Sequence, residues 1–265
     1  MPCGRAAQPP GQAGTAPVWP VLAPGCRPIA RALAAPDTAF PGVGPGFAAH
    51  MTYNDLMLAS DVLDTVLKTA DDALRTLFAP AQATRSPALP TDAPMSAGER
   101  RHAAGLMRVN HAGEIAAQGL YRGQAAMARP GSTREFLQRA AGEEADHLAW
   151  CESRLRELDA RPSRLNSIWY LGSFAIGAAA ALFGDELSLG FVTETERQVE
   201  GHLANHLERL PANDQRSRAI ITQMQSDEAA HAQSARALGA SELPGPIPAL
   251  MRLTARVMTG SAYWI

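Results

Sequence analysis

The chain is short of cysteine, with only Cys3, Cys26 and Cys151 in 265 residues. Their spacing forms neither a disulfide framework nor a zinc knuckle, so a reducing compartment is the simple reading. An excess of either charge is also missing. The net charge of −2 leaves no basic footprint for nucleic acid, and no acidic tail is present. No Gly-rich loop of the nucleotide-cradling kind occurs. Strand signals are scarce beyond Met51, where Ala, Leu, Glu, Arg and Gln dominate, all good helix formers. What is left is a helical protein, and its 46% hydrophobic and 19% charged residues suit a folded globular domain.

Proline and glycine crowd into one end. Residues 1–50 hold ten Pro and seven Gly but four charged residues, and no apolar period survives those breakers. This stretch reads as a disordered extension. A signal peptide is not expected, because Pro interrupts every apolar core it offers. The expected domain is 51–265, with Met51 as the natural start or 1–50 as a dispensable extension. Apolar residues at i, i+3 and i+4 predict an amphipathic helix over 51–78. A Pro-rich linker follows at 79–94. Further helices are expected over 97–128, 133–159, 165–184, 185–209 and 214–239, with a short C-terminal one. Ser132 with Glu135 fits a capping box, and Asn213 or Asp214 fits an N-cap. The plan is all-α, a helical bundle with additional N-terminal, membrane-surface and C-terminal helices.

Two stretches carry the same chemistry. In "GEEADHLAW" Glu144 stands three residues before His147, and in "SDEAAHAQ" Glu228 stands three before His231. Residues three apart share a helical face, so each pair can reach one metal ion. A single Glu-x-x-His is weak evidence, because chance copies on solvated faces are common. Two further carboxylates strengthen it. Glu114 lies among small and apolar residues, where a buried charge is costly without a partner, and Glu196 is its counterpart. Glu114 precedes the turn near 129 by about 15 residues, or about 22 Å of helix, and Glu144 follows that turn by a similar rise. The second half repeats the arrangement around Pro211. The intervals from first Glu to Glu-x-x-His are 30 and 32 residues. Two hairpins thus bring four carboxylates and two imidazoles to one level, the ligand set of a di-metal site in a ferritin-like four-helix bundle. Mixed oxygen and nitrogen donors suit iron or manganese more than zinc. Spacing alone leaves Glu143 as a rival to Glu144 and Asp227 as a second candidate near His231. Glu200 competes with Glu196, less well matched in height. His202 is a candidate outer partner of a ligand; His111 and His206 read as outer or surface residues.

Residues 165–184, "LNSIWYLGSFAIGAAAALFG", carry no charge over a length near that of a membrane span. A crossing there would put the two half-sites on opposite sides of a bilayer. The segment therefore reads as a helix packed on the bundle or lying at a membrane surface.

The stretches "LMRVNHAGEIAAQGLYRGQ", "EEADHLAWCESRLRELDARPSRLNSIWY", "FVTETERQVEGHL" and "SDEAAHAQSARALGA" resemble the demethoxyubiquinone hydroxylase family of ubiquinone biosynthesis. The resemblance runs from about Met51 to Ile265. It implies a ferritin-like di-iron protein with Glu114, Glu144, His147, Glu196, Glu228 and His231 as ligands, which favours Glu144 over Glu143. It implies an O₂-dependent monooxygenase that hydroxylates a polyprenylated 2-methoxy-5-methyl-benzoquinol, 3-demethoxyubiquinol, to 3-demethylubiquinol. The implied cofactors are two iron ions and an external electron donor, NADH or the quinol itself. The implied surroundings are a peripheral position on the cytoplasmic face of a bacterial inner membrane and a lipid-binding accessory protein of the same pathway. Iron storage and manganese catalase share the ligand set, but neither needs the apolar stretch at 165–184.

Overall fold

The computed structural model describes the backbone of residues 53–265 and the side chains of residues 60 and 62–265; the expected extension over 1–50 lies outside them. Within that span there are helices and no strands, as the composition predicts. They are α1 (Tyr53–Phe78), α2 (Ala97–Met127), α3 (Ser132–Glu157), α4 (Asn166–Leu182), α5 (Asp185–Arg209), α6 (Gln215–Ala237) and α7 (Pro246–Ala262). Helices α2, α3, α5 and α6 form the bundle. The hairpins α2–α3 and α5–α6 are its two halves, and α3 meets α6 between them.

Capping differs from expectation at one helix. Ser132 begins α3 but does not cap it; the N-cap is Gly131, with no side-chain bond, and its φ of 151° suits glycine. The capping box sits instead at α2, where Ser96 Oγ accepts from Glu99 N and Glu99 Oε2 accepts from Ser96 N. "SAGE" carries the same Ser-x-x-Glu pattern and an apolar run follows it, whereas Gly131 lets α3 start one residue early. Asp214, not Asn213, caps α6 by accepting from Ser217 N.

The bundle core falls into two apolar clusters. One holds Leu106, Met107, Trp150, Leu155, Leu203, Ile221 and Met224. The other holds Leu120, Tyr121, Leu137, Ala141, Leu189, Val192 and Ala235. On every bundle helix the key carboxylate lies between them: Glu114 between Met107 and Leu120, Glu144 between Ala141 and Trp150, Glu196 between Val192 and Leu203, Glu228 between Met224 and Ala235. The clusters clamp the helices above and below the carboxylates, and that layer is buried.

Helix α4 packs along α2 across a seam of glycines. A Cβ on Gly119, Gly123 or Gly177 would run into the backbone carbonyl of Tyr170, Phe174 or Leu120 respectively. Its far side is exposed, with Ile168, Leu171, Leu182 and Phe183 in the open. Packing on the bundle is therefore realised on one face, and the other face is apolar and exposed. No helix among the described residues is long and apolar enough to cross a membrane.

The Pro-rich segment 79–94 is more than a linker. Ala81 N donates to Glu152, Thr84 and Arg85 engage Asp146, and Asp92 accepts from Arg154 and from Arg216 N. It forms a strap across α3 and α6. Its anchors are side chains distant in sequence, which local patterning does not reveal.

Candidate metal centre

All six residues that the resemblance implies as ligands meet in the waist of the bundle, and each is buried. Two groups of ligand atoms gather there, and within each group the atoms lie within 4.8 Å of one another. One comprises Glu114, Glu144, His147 and Glu228; the other comprises Glu144, Glu196, Glu228 and His231. Glu144 and Glu228 belong to both. His147 Nδ1 lies 3.1 Å from Glu144 Oε2 and 3.2 Å from Glu228 Oε1. His231 Nδ1 lies 3.1 Å from Glu144 Oε1 and 3.3 Å from Glu228 Oε2. Each shared carboxylate thus turns one oxygen to each imidazole. Glu114 and Glu196 stand outside the shared pair, each 3.9 Å from the nearer histidine.

The electrostatics follow from four carboxylates in a buried layer. Burial drives Glu114 well above the usual carboxylate range, and the neighbouring charge of Glu144 adds to it. Burial does the same to Glu196, reinforced by Glu228. Glu144 moves down: burial opposes its charge, but His147 and His231 outweigh burial. Burial also opposes charge on both histidines, and the carboxylates overcome it. His147 is held well above its ordinary range, chiefly by Glu144, and His231 is raised to about 12, chiefly by hydrogen bonds to Glu144 and Glu228. Glu196 Oε1 is buried and accepts no hydrogen bond. A buried unsatisfied acceptor is costly, and a cation beside it satisfies it. The donor set therefore fits metal ions, and each group can hold one.

The outer nitrogens of the histidines are tied across the bundle. His147 Nε2 lies 3.0 Å from Asp227 Oδ2, and His231 Nε2 lies 2.6 Å from Glu143 Oε2. Glu143 and Asp227, left open as ligands by spacing, stand instead on the far side of each imidazole, each serving the histidine of the other half. Both motifs begin with paired acids, Glu143–Glu144 and Asp227–Glu228; one member turns inward and the other outward. That doubling was the available signal. His202 shares a cavity wall with Glu114, Glu144, Glu196 and Glu228, and its buried Nε2 has no hydrogen-bond partner. Its ring centre lies 4.0 Å from that of His206. Burial lowers His202 to about 4 and His206 to about 3. His111 is buried beside Asn166 at the start of α4, and burial lowers it to about 4. Glu200 is not in either group.

That cavity encloses about 650 Å³ between α2, α5 and α7. The metal groups form its inner end, with Glu114, Glu144, Glu196 and Glu228 in its wall. Val109, Val199, Leu203 and Met258 give it apolar sides, and Arg252 and Arg256 of α7 bring positive charge to it. It has the size and mixed lining of a small-molecule site.

A sequence model of the family described as "Ubiquinone biosynthesis protein COQ7" matches residues 101–262, a span that includes all six metal-facing residues. The chain is 56% identical over 202 residues to a 3-demethoxyubiquinol 3-hydroxylase of Bordetella avium, covering 76% of this chain and 94% of that protein. It is 58% identical over 208 residues to one of Variovorax paradoxus, covering 78% and 100%. It is 55% identical over 206 residues to one of Chromobacterium violaceum, covering 76% and 99%.

Proposed function

The chain belongs to the ubiquinone biosynthesis protein COQ7 family, and from that premise we propose that it is a 3-demethoxyubiquinol 3-hydroxylase. It uses O₂ to hydroxylate the free ring carbon of a polyprenylated 2-methoxy-5-methyl-benzoquinol, giving 3-demethylubiquinol. One oxygen atom enters the ring and the other leaves as water, which consumes two further electrons and two protons. The observation that carries this reading is the pair of overlapping ligand groups at the end of the cavity.

Glu114, Glu144, His147 and Glu228 would hold one iron ion, and Glu144, Glu196, Glu228 and His231 the other. Bound there, two iron ions supply the redox chemistry that reduces O₂ and delivers oxygen to the ring. The rest belongs to the protein. The apolar clusters above and below the waist exclude bulk water. The cavity admits the ring to the open side of Glu114 and Glu196, and its apolar walls orient it. Asp227 and Glu143 accept from the outer nitrogens of His147 and His231, so that each Nδ1 faces inward. Electrons come from outside the chain, from NADH or from the quinol itself.

A polyprenyl tail keeps the substrate in a bilayer, so the enzyme is a peripheral protein of the cytoplasmic face of the inner membrane. Support comes from exposed apolar rows on the three helices outside the bundle. They include Val62, Val66 and Leu67 on α1, Leu171 and Phe183 at α4, and Leu250, Leu253 and Val257 on α7. Helix α7 also lines the cavity, so its apolar row is next to the substrate's path.

The test loads the metal-free protein with Fe(II) under anaerobic conditions, adds a short-chain demethoxyquinol and ¹⁸O₂, and follows the quinol by mass spectrometry. A product heavier by one labelled oxygen is expected. Glu114→Ala, like a change at any of the other five ligands, abolishes that product while the helical circular dichroism stays. Iron oxidised with the quinol unchanged would replace hydroxylation with iron handling.

A further inference from the structure

The two halves of the centre match in their ligands but not in what lies behind them. Behind His147 stands Asp227, fixed at both oxygens. Gln223 Nε2 donates to Oδ1 at 3.0 Å, and Arg85 Nη2 lies 2.9 Å from Oδ2, the oxygen that faces His147 Nε2. Arg85 also donates through Nε to Asp146 at 3.0 Å. Its guanidinium lies 5.3 Å from the ring centre of Trp150, and its carbonyl accepts from Trp150 Nε1 at 2.8 Å. Trp150 in turn packs on the His147 ring at 5.1 Å. The strap residue therefore reaches His147 by two routes, one through Asp227 and one through Trp150.

Behind His231 stands Glu143, whose one ion-pair partner among the described residues is His231 itself. Its side chain is 50% exposed, against 16% for Asp227. Water competes for its oxygens and a longer side chain is free to turn, so its short contact with His231 is cheaply broken. A planar guanidinium that bridges two carboxylates and stacks on an indole is, by contrast, a rigid brace.

We propose that Arg85 is a positioning residue that makes the two metal positions unequal, so that the position built on His147 holds its ion more tightly than the position built on His231. This rests on the reading of the six residues as a two-metal centre. The inequality comes from preorganisation. Where Arg85 holds Asp227 on His147, the imidazole waits in the geometry an ion needs; His231 must be ordered when its ion arrives. Outer partners of metal ligands are worth about 10–100-fold in affinity, enough to separate the two binding steps.

Cobalt(II), titrated into the metal-free full-length chain and followed by calorimetry, tests this. The wild type takes up two ions per chain in resolved tight and weak steps. Arg85→Ala weakens the tight step by about 10-fold or more and leaves the weak step in place, which also reports that the bundle is folded. Arg85→Lys, which keeps the charge but not the fork, falls between the two. Glu143→Gln weakens the weak step alone. Two ions bound in wild type with equal affinity, or an Arg85→Ala titration that leaves the tight step unchanged or weakens both steps alike, overturns the brace and leaves the two-metal centre standing. Uptake of other than two ions by the wild type overturns the centre and the brace together.

Discussion

At the scale of single residues, charge in a buried layer decides the behaviour of the centre. In the metal-free protein Glu114, Glu196, His147 and His231 are all pushed toward their protonated forms. A metal ion must displace those protons, so affinity rises with pH. Folding runs the other way. A group whose folded pKa is raised stabilises the fold below its unfolded pKa and loses that contribution as pH climbs toward the folded value. For His231 the window runs from its ordinary 6.5 to about 12, and Glu114 and Glu196 begin to lose theirs above their ordinary 4.5. Glu144, shifted down, loses its contribution only on acidification below that same 4.5. Raising the pH from about 6 to about 8 should therefore lower the Tm of the metal-free protein and widen the Tm gain on adding Mn(II). Thermal melts with and without metal at both pH values check this; a constant or shrinking gain would count against the assigned protons.

At the scale of elements, the seam between α2 and α4 and the outer face of α7 make separate demands. Gly177 admits the backbone of α2 so closely that a Cβ meets the Leu120 carbonyl, which cannot swing aside as a side chain can. Gly177→Ala should cost about 1–3 kcal/mol by overpacking. For a domain of this size that lowers Tm by about 2–4 °C per kcal/mol, read by differential scanning calorimetry. An unchanged Tm would mean α4 sits further from α2. On α7, Leu253 is exposed and supports no core cluster. Leu253→Glu should leave Tm unaltered but reduce co-sedimentation with anionic lipid vesicles, since it places a charge in the apolar row. Equal sedimentation of variant and wild type would move the membrane contact off α7.

At the scale of the whole molecule, the described residues form the bundle with its strap and three added helices. The matched span takes 76–78% of this chain and 94–100% of three relatives, and the family match begins at residue 101. Deleting residues 1–50 should leave hydroxylation and Tm unchanged, measured by quinol mass spectrometry and calorimetry; loss of either would give the extension a part in folding or catalysis.

Much of this was legible in the sequence because helices convert spacing into geometry. A Glu and a His three apart must share a face, and equal rises on either side of a turn must bring residues level, so the all-α bundle and the stretches that meet at one level could be read from intervals, while the choice of Glu144 over Glu143 came from the family resemblance. Burial of Glu114 was legible in its small apolar neighbours. Single-residue choices were not. Glu143 and Glu144 differ by 100° on a helix, and only packing between α3 and α6 decides which turns inward. The strap defeated pattern reading for the same reason: Arg85 acts through Asp146, Asp227 and Trp150, partners 61, 142 and 65 residues away. The sequence by itself determined which side chains have the chemistry and at what height each stands along its helix. The tertiary structure alone decided which carboxylates are shared, which acids stand behind the histidines, and which half is braced, because those are contacts between helices, and local periodicity carries no information about the helix across the bundle.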